Sequence, residues 1–176
     1  MAGCGHSAPP VLGTVPPFAL TERSGRTVGT TDLRGHVWIA DFVFTRCPDF
    51  CPLLTARMAE LQRSLPAGDD LRLVSVSVDP VHDTPEVLRA YAARTGAGDA
   101  WLFLTGPRDD VARLVHDGFK LAFADNGPPG QPITHSDRFV LVDRGLRIRG
   151  YYLATDAADL ARLRADAATV RDERAS

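Results

Sequence analysis

The sequence predicts an α/β fold, and three observations support this prediction. Residues 37–44 are almost continuously apolar, which is typical of a strand buried on both faces of a parallel sheet, and residues 71–78 predict a second core strand. An amphipathic segment with helical spacing begins at Cys51, directly after the first of these strands. Near the end of the chain, residues 139–142 and 146–152 flank an Asp-Arg-Gly turn and predict an antiparallel hairpin.

The N-terminal half supplies two further elements. Residues 18–20 and 27–28 flank a Ser-Gly turn, which predicts a small hairpin before the first buried strand. The helix that begins at Cys51 is expected to end before Pro66, because a Pro-Ala-Gly-Asp run follows it. Its apolar face consists of Leu54, Met58, Leu61 and Leu65.

The remaining elements alternate in the same way. The Thr-Pro pair at residues 84–85 has the residue types of a helix N-cap and first turn, so a helix is expected to begin there. A short strand at 101–104 and a helix at 108–119 follow. Leu160 and Leu163 indicate the last helix.

Alternation of strands and helices produces a parallel sheet covered by helices on both faces, and the closing hairpin adds antiparallel strands. Cys47 and Cys51 lie between the first buried strand and its helix. This is the arrangement of the thioredoxin fold, and the chain is longer than a minimal thioredoxin. The prediction is therefore a thioredoxin-like fold with an N-terminal hairpin and insertions. We expect a tether at 1–11, one domain at 12–168 and a charged, frayed tail at 169–176.

Composition limits the classes of function. The 176 residues are enough for one domain with a substantial core. The formal net charge is −2, and no basic stripe with interleaved aromatic residues indicates a nucleic-acid partner. No apolar run approaches the roughly 18 residues that a transmembrane helix needs. Three cysteines are too few for a disulfide scaffold, so the close pair is more typical of function than of stapling.

The cysteine pair lies in the run Phe-Thr-Arg-Cys-Pro-Asp-Phe-Cys-Pro. A thiol at the start of a helix lies near the positive end of the helix dipole, so we expect a lowered thiol pKa. Residues four apart share one helical face, and Cys47 and Cys51 can form a disulfide or bind one soft metal ion. Structural zinc normally takes four protein ligands, whereas copper tolerates three, so a copper site needs one further donor.

Histidine is the candidate for the further donor. His135 comes shortly before the strand at 139–142, and in a thioredoxin fold the segment entering this late strand lies beside the cysteine pair. It is therefore the leading candidate, and His82, in the loop after the second buried strand, is the alternative. His6 lies in the predicted tether. His36 and His116 have positions typical of ordinary surface or hydrogen-bonded residues.

Three motifs together resemble the Sco/SenC/PrrC family of copper-binding cytochrome c oxidase assembly proteins, over about residues 12–168. Residues 44–52 match the family motif Phe-Thr-x-Cys-Pro-x-x-Cys-Pro. Residues 77–85, Ser-Val-Asp-Pro-Val-His-Asp-Thr-Pro, are similar to its second motif. Residues 134–136, Thr-His-Ser, correspond to its distal histidine segment. The combination is specific, although each motif alone is weak.

The resemblance implies a copper ion held by Cys47, Cys51 and His135. Asp79 would support the metal centre or contact the partner, and a loop cap is its alternative role. The implied function is a metallochaperone that binds Cu(I) or Cu(II) and delivers it for assembly of the cytochrome c oxidase copper centre. Its partners would be the copper-site subunit of the oxidase and another copper chaperone or a thiol reductant. The Gly/Pro-rich loop at 125–132 is expected to be mobile and to let His135 move onto and off the metal.

Two alternative activities stay open. The pair could act as a thiol–disulfide oxidoreductase on the copper-ligating cysteines of a partner, with one cysteine attacking and the other resolving the mixed disulfide. The chain would then be an enzyme, whereas a metallochaperone is not one. A peroxiredoxin-like peroxidase shares the fold, but the residues before Cys47 lack its Pro-x-x-x-Thr-x-x-Cys approach.

The resemblance also implies a periplasmic, extracytoplasmic location with attachment to the inner membrane. The Ala-Gly-Cys run at residues 2–4 resembles the end of a bacterial lipoprotein signal, which would make Cys4 the lipidated residue. The alternative is an N-terminus of small residues without modification. The membrane-anchoring helix that is usual in the family is not found in this sequence.

Overall fold

The computed structural model describes residues 7–47, 51–65, 70–124 and 134–173, with the backbone alone at 123–124 and 134–135. Strands and helices alternate over these residues as the sequence predicts. The strands are β1 (Gly13–Thr14), β2 (Ala19–Glu22), β3 (Thr27–Gly29), β4 (Val37–Val43), β5 (Leu71–Ser77), β6 (Trp101–Thr105), β7 (Phe123–Ala124), β8 (Thr134–His135), β9 (Arg138–Val142) and β10 (Arg147–Leu153). The helices are α1 (Thr30–Leu33), α2 (Cys51–Ser64), α3 (Pro85–Thr95), α4 (Arg108–Arg113) and α5 (Ala157–Asp172).

The main sheet of the described residues has eight strands in the order β1-β10-β9-β4-β5-β6-β2-β3. Strands β4, β5 and β6 run parallel, and the closing hairpin β9–β10 pairs antiparallel beside β4. The N-terminal hairpin β2–β3 adds the other edge, with β2 antiparallel to β6. The predicted α/β, thioredoxin-like architecture with an N-terminal hairpin is confirmed.

Helical elements cover both faces of the central strand. All seven residues of β4 are buried, and side chains alternate between its two faces. On one face the rings of Trp38 and Phe42 contact Phe119 edge-on, with ring centroids 5.9 and 5.1 Å apart. On the other face Thr55 of α2 and Tyr91 of α3 share a hydrogen bond of 2.6 Å. The core therefore surrounds β4 on both faces, and the cysteine motif follows the carboxyl end of this strand.

Helix bounds agree with the sequence at α3 and differ after α4. The Thr84 hydroxyl accepts a hydrogen bond from the Val87 N–H at 3.4 Å, so Thr84 caps α3 as predicted. The helix predicted at 108–119 is instead α4 followed by a π-helical turn at Leu114–Gly118. The Phe119 N–H donates to the Leu114 carbonyl at the end of this wider turn. No helix of the described residues is both long and apolar enough to cross a membrane.

Two segments outside the predicted domain make contacts that the sequence does not predict. Helix α5 continues to Asp172, into the segment from 169 that was expected to fray. Beyond it, Glu173 binds both terminal nitrogens of Arg149 at 2.6 and 2.7 Å. Arg149 is buried and also donates twice to the Pro9 carbonyl, at 2.7 and 3.0 Å. A buried guanidinium needs such acceptors, so it fixes Pro9 and Glu173 against β10.

Candidate metal centre

The cysteine motif lies where β4 and β5 end side by side. The two strands are parallel and in register from Val37 to Val43, and the Val78 N–H still donates to the Val43 carbonyl at 2.9 Å. The motif loop leaves β4 at this edge, and the loop at 78–84 leaves β5 beside it. In open α/β sheets this carboxyl edge is where binding sites form.

The structure brings Cys47 and Cys51 together with no disulfide between them. Cys51 is the first residue of α2 and is only 1% exposed, whereas Cys47 is half-buried. The Cys51 sulfur accepts a hydrogen bond from the Phe44 N–H and lies within hydrogen-bonding reach of Cys47. Cys47 is therefore the more accessible of the two sulfurs.

The expected lowering of the thiol pKa is wrong for Cys51. Burial raises the pKa of this thiol well above its usual range, the Phe44 N–H lowers it, and Cys47 and Asp41 raise it further. A helix dipole contributes roughly 0.3–1 kcal/mol at exposed positions. Removing a charged sulfur from water costs more than that. Cys51 is thus held as a neutral thiol in the metal-free protein.

His135 belongs to β8, and its backbone lies at the same end of the sheet as the cysteines. Strand β9 begins at Arg138, three residues later, and runs antiparallel to β4 with Val142 opposite Trp38. The start of β9 is therefore at the carboxyl end of β4. The side chain of His135 and the loop predicted at 125–132 lie outside the described residues. Among the side chains that are described, no three of His, Cys, Asp and Glu form a metal-binding group.

Asp79 is joined to the cysteine motif through Arg46. Its carboxylate accepts hydrogen bonds from Nη2 and Nε of Arg46 at 2.7 and 3.3 Å. Asp79 is buried, whereas the Arg46 side chain is 58% exposed. The Asp79 carbonyl also accepts the N–H groups of His82 and Asp83, at 3.1 and 2.9 Å. Asp79 therefore closes its own loop and holds the residue that precedes Cys47.

The other histidines have separate positions. His82 is half-buried in the loop after β5. His36 precedes β4, at the end of that strand opposite the cysteines. His116 is exposed, and its Nδ1 lies 2.7 Å from a carboxylate oxygen of Asp117. His6 lies outside the described residues.

Sequence reasoning missed Asp41, a carboxyl within the buried strand β4. Burial raises its pKa to about 7, which the nearby Ser75 hydroxyl partly offsets. No hydrogen bond of normal geometry reaches either carboxyl oxygen within the described residues. Its charge adds to the effect of burial in raising the pKa of Cys51 and of Tyr91, the latter to about 12. The signal in the sequence was a charged residue inside an apolar run.

Asp83 was also missed, although it lies within the second motif. Its side chain is fully buried, and its carboxylate accepts hydrogen bonds from Thr45 and Ser77. Thr45 precedes Cys47 by two residues, so Asp83 connects the second motif to the first.

Comparison with protein-family models identifies the family to which this chain belongs. The model described as SCO1/SenC matches residues 8–168. The SCO1 protein homolog of Bacillus subtilis (strain 168) is 38% identical over 132 residues, which are 73% of this chain and 67% of that protein.

Solved structures agree with the family match. The SCO1/SenC family lipoprotein from Bacillus anthracis str. Ames superposes with a TM-score of 0.84 at 30% identity, covering 94% of this chain and 100% of that one. BsSco is a member of the Sco family of cytochrome c oxidase assembly proteins with an identified disulfide switch. It superposes with a TM-score of 0.83 at 31% identity, covering 96% of this chain and 100% of that one. Yeast Sco1 with copper bound superposes with a TM-score of 0.68 at 26% identity, covering 95% of this chain and 92% of that one. The resemblance drawn from the three motifs is confirmed: this chain belongs to the SCO1/SenC family.

Proposed function

We propose that the protein is a copper metallochaperone that binds Cu(I) or Cu(II) through Cys47, Cys51 and His135. It delivers the ion for assembly of the cytochrome c oxidase copper centre. The observation that supports this most is the pair of neighbouring thiols at the start of α2, in a chain of a family with a copper-bound member. Thiolates are soft ligands that favour Cu(I), and an imidazole supplies a neutral third donor.

The burial of the pair suggests how copper is taken up and released. Thiols lose their protons when they bind a metal, so the positive ion offsets the charge that burial disfavours at Cys51. The half-buried Cys47 is the sulfur at which an ion enters and leaves. Copper affinity should therefore rise with pH, because protons compete with the ion for both sulfurs.

Transfer of copper to an acceptor tests this function. The copper-loaded protein is mixed with the reduced, copper-free soluble domain of the oxidase copper-site subunit, and the copper–thiolate absorption of the acceptor is followed. We expect transfer from the wild-type protein and loss of loading in Cys47→Ser and Cys51→Ser. His135→Ala should weaken loading, whereas His116→Ala, which changes an exposed histidine, is the matched control. Wild-type protein that takes up no copper would overturn the function.

A second function, thiol–disulfide exchange, is favoured by one half-buried and one buried sulfur within reach of each other. The Cys47 thiolate would attack a partner disulfide and release one partner thiolate. Cys51 would then lose its proton and attack the Cys47 sulfur, which releases the second partner sulfur as a thiol and leaves the pair oxidised. The partner gains two electrons in this exchange. His135→Ala should retain the activity and Cys47→Ser should abolish it, which separates this function from copper transfer.

The proposed location is outside the cytoplasm, with a lipid on Cys4 attaching the domain to the inner membrane. The similar protein from Bacillus anthracis is a lipoprotein. Intact-mass measurement of protein extracted from native membranes tests the attachment. A diacylglyceryl adduct on an N-terminal Cys4 is expected, and an unmodified Cys4 would contradict it.

A further inference from the structure

The cysteine motif contains a β-turn that contacts both sulfur-bearing residues. The Cys47 N–H donates to the Phe44 carbonyl at 3.2 Å and closes a turn over residues 44–47. Cys47 is the last residue of this turn. At the start of the turn, the Phe44 N–H donates to the Cys51 sulfur. The conformation of the turn therefore sets the position of one sulfur relative to the other.

Asp83 holds the second residue of this turn at two points. Its Oδ2 accepts the Thr45 N–H at 3.0 Å, and its Oδ1 accepts the Thr45 hydroxyl at 2.5 Å. One bond fixes the backbone of Thr45 and the other fixes its side chain.

The carboxylate of Asp83 is itself fixed by the loop after β5. The Ser77 hydroxyl donates to Oδ2 of Asp83 at 2.6 Å and accepts the Asp79 N–H at 3.1 Å. The Asp83 N–H in turn donates to the Asp79 carbonyl at 2.9 Å. Asp83 is fully buried, so these contacts are shielded from water. The loop thus presents a rigid acceptor to the turn.

We propose that Asp83 is a positioning residue for the Cys47–Cys51 pair. By binding Thr45 it holds the turn in the conformation that keeps the two sulfurs within reach of each other. It thereby increases the tendency of the pair to close into a disulfide or to share one metal ion. This inference rests on the proposed function of the pair, in either its copper-binding or its thiol–disulfide form.

Loss of the Asp83 carboxylate should loosen the turn and leave the sulfurs chemically intact. Asp83→Asn preserves the size of the side chain but places an NH2 group opposite one of the donors from Thr45 and Ser77. The turn then samples more conformations, and the effective concentration of one sulfur at the other falls. A loss of about one hydrogen bond corresponds to roughly a tenfold change in an equilibrium constant.

The test is the equilibrium of the metal-free protein with dithiothreitol. Oxidised dithiothreitol takes up two electrons and two protons as the two thiols join in a disulfide, and the two forms are separated after acid quenching. Asp83→Asn should lower the equilibrium constant for disulfide formation about tenfold. Thr45→Val, which keeps the backbone bond, should lower it less, and Thr45→Ser should stay near the wild-type value.

Asp143 offers a matched control for a purely structural effect. It is also a buried carboxylate that holds a turn, since its Oδ1 accepts the N–H groups of Gly145 and Arg147 at 2.9 and 3.0 Å. This turn follows β9, at the end of the sheet opposite the cysteines. Asp143→Asn should lower the urea midpoint of unfolding and leave the disulfide equilibrium unchanged.

An unchanged equilibrium constant in folded Asp83→Asn would overturn the inference. If this variant does not fold, Thr45→Val and Thr45→Ser decide the question, and equal constants for both would overturn it. A shift in Asp143→Asn as large as that in Asp83→Asn would also overturn it, since the effect would then follow general stability. The equilibrium is measured without copper, so wild-type protein that binds no copper would refute the chaperone function and leave this result intact.

Discussion

The buried carboxyl of Asp41 should make the stability of this protein fall as the pH rises towards neutrality. Burial raises the pKa of Asp41 from 3.8 to about 7. Between these two values the folded protein holds a proton that the unfolded chain has lost. The free energy of unfolding therefore decreases as the pH rises through this window. Asp41→Asn removes the titrating group and nearly preserves the size of the side chain.

The size of the effect follows from the shift in pKa. A change from 3.8 to about 7, at ~1.4 kcal/mol per unit, makes the charged form of Asp41 cost about 4 kcal/mol. Within the window this one group contributes a slope of about −1.4 kcal/mol per pH unit. Between pH ~5 and ~6.5 the stability of Asp41→Asn relative to the wild type should thus increase by about 2 kcal/mol.

Urea denaturation of both reduced, metal-free proteins at several pH values in this window measures the difference, because other titrating groups cancel. Asp143→Asn is the control, because the pKa of Asp143 is shifted in the direction opposite to that of Asp41. Burial opposes ionisation of Asp143, but the N–H and guanidinium groups of Arg147 and Arg149 hold its pKa below the usual range. Its contribution to stability is lost only when the pH falls through that lowered pKa, so Asp143→Asn should show a constant difference in this window. A constant difference for Asp41→Asn as well would refute the reasoning.

Three further predictions concern separate contacts. In the reduced protein, iodoacetamide should label Cys47 before Cys51, because Cys51 is buried and its thiol pKa is raised; mass mapping that shows equal labelling would contradict this. Arg149→Leu should lower the free energy of unfolding by about 3 kcal/mol, because Asp143 then keeps Arg147 as its cation and Glu173 loses Arg149; an unchanged urea midpoint would count against it. Thr55→Val should lower the free energy of unfolding by about 1–3 kcal/mol, because the buried Tyr91 hydroxyl loses its partner. Thr55→Ser should retain most of the stability. A Thr55→Val variant as stable as the wild type would exclude this hydrogen bond as a stabilising contact.

The sequence predicted the strands and helices that are determined by residues close together in the chain. An apolar run interrupted only by Asp41 makes β4, and a Thr-Pro pair starts α3 with Thr84 as its cap. The position of Cys51 at a helix start follows from the same patterns, since β4 ends shortly before it. Periodicity and capping residues act over a few positions, so they can be read without knowledge of the tertiary structure.

The features that the sequence did not predict depend on contacts between distant residues. Arg149 holds Pro9 and Glu173, which are 140 and 24 residues away, so these contacts could not be read locally. Asp83 meets Thr45 across 38 residues, and its role becomes visible only when β4 and β5 lie side by side. The neutral state of Cys51 has the same origin, because the depth of its burial is set by the packing of α2 on the sheet.

The most direct test of the central claim, that copper is held by Cys47, Cys51 and His135, is an anaerobic competition titration. The reduced protein competes with a chromogenic chelator for Cu(I), with His135→Ala and His116→Ala measured in parallel. We predict tight binding of one copper per protein, weakened by His135→Ala and unchanged by His116→Ala. Weak binding that His135→Ala does not alter would contradict the claim and favour thiol–disulfide exchange as the function of the pair.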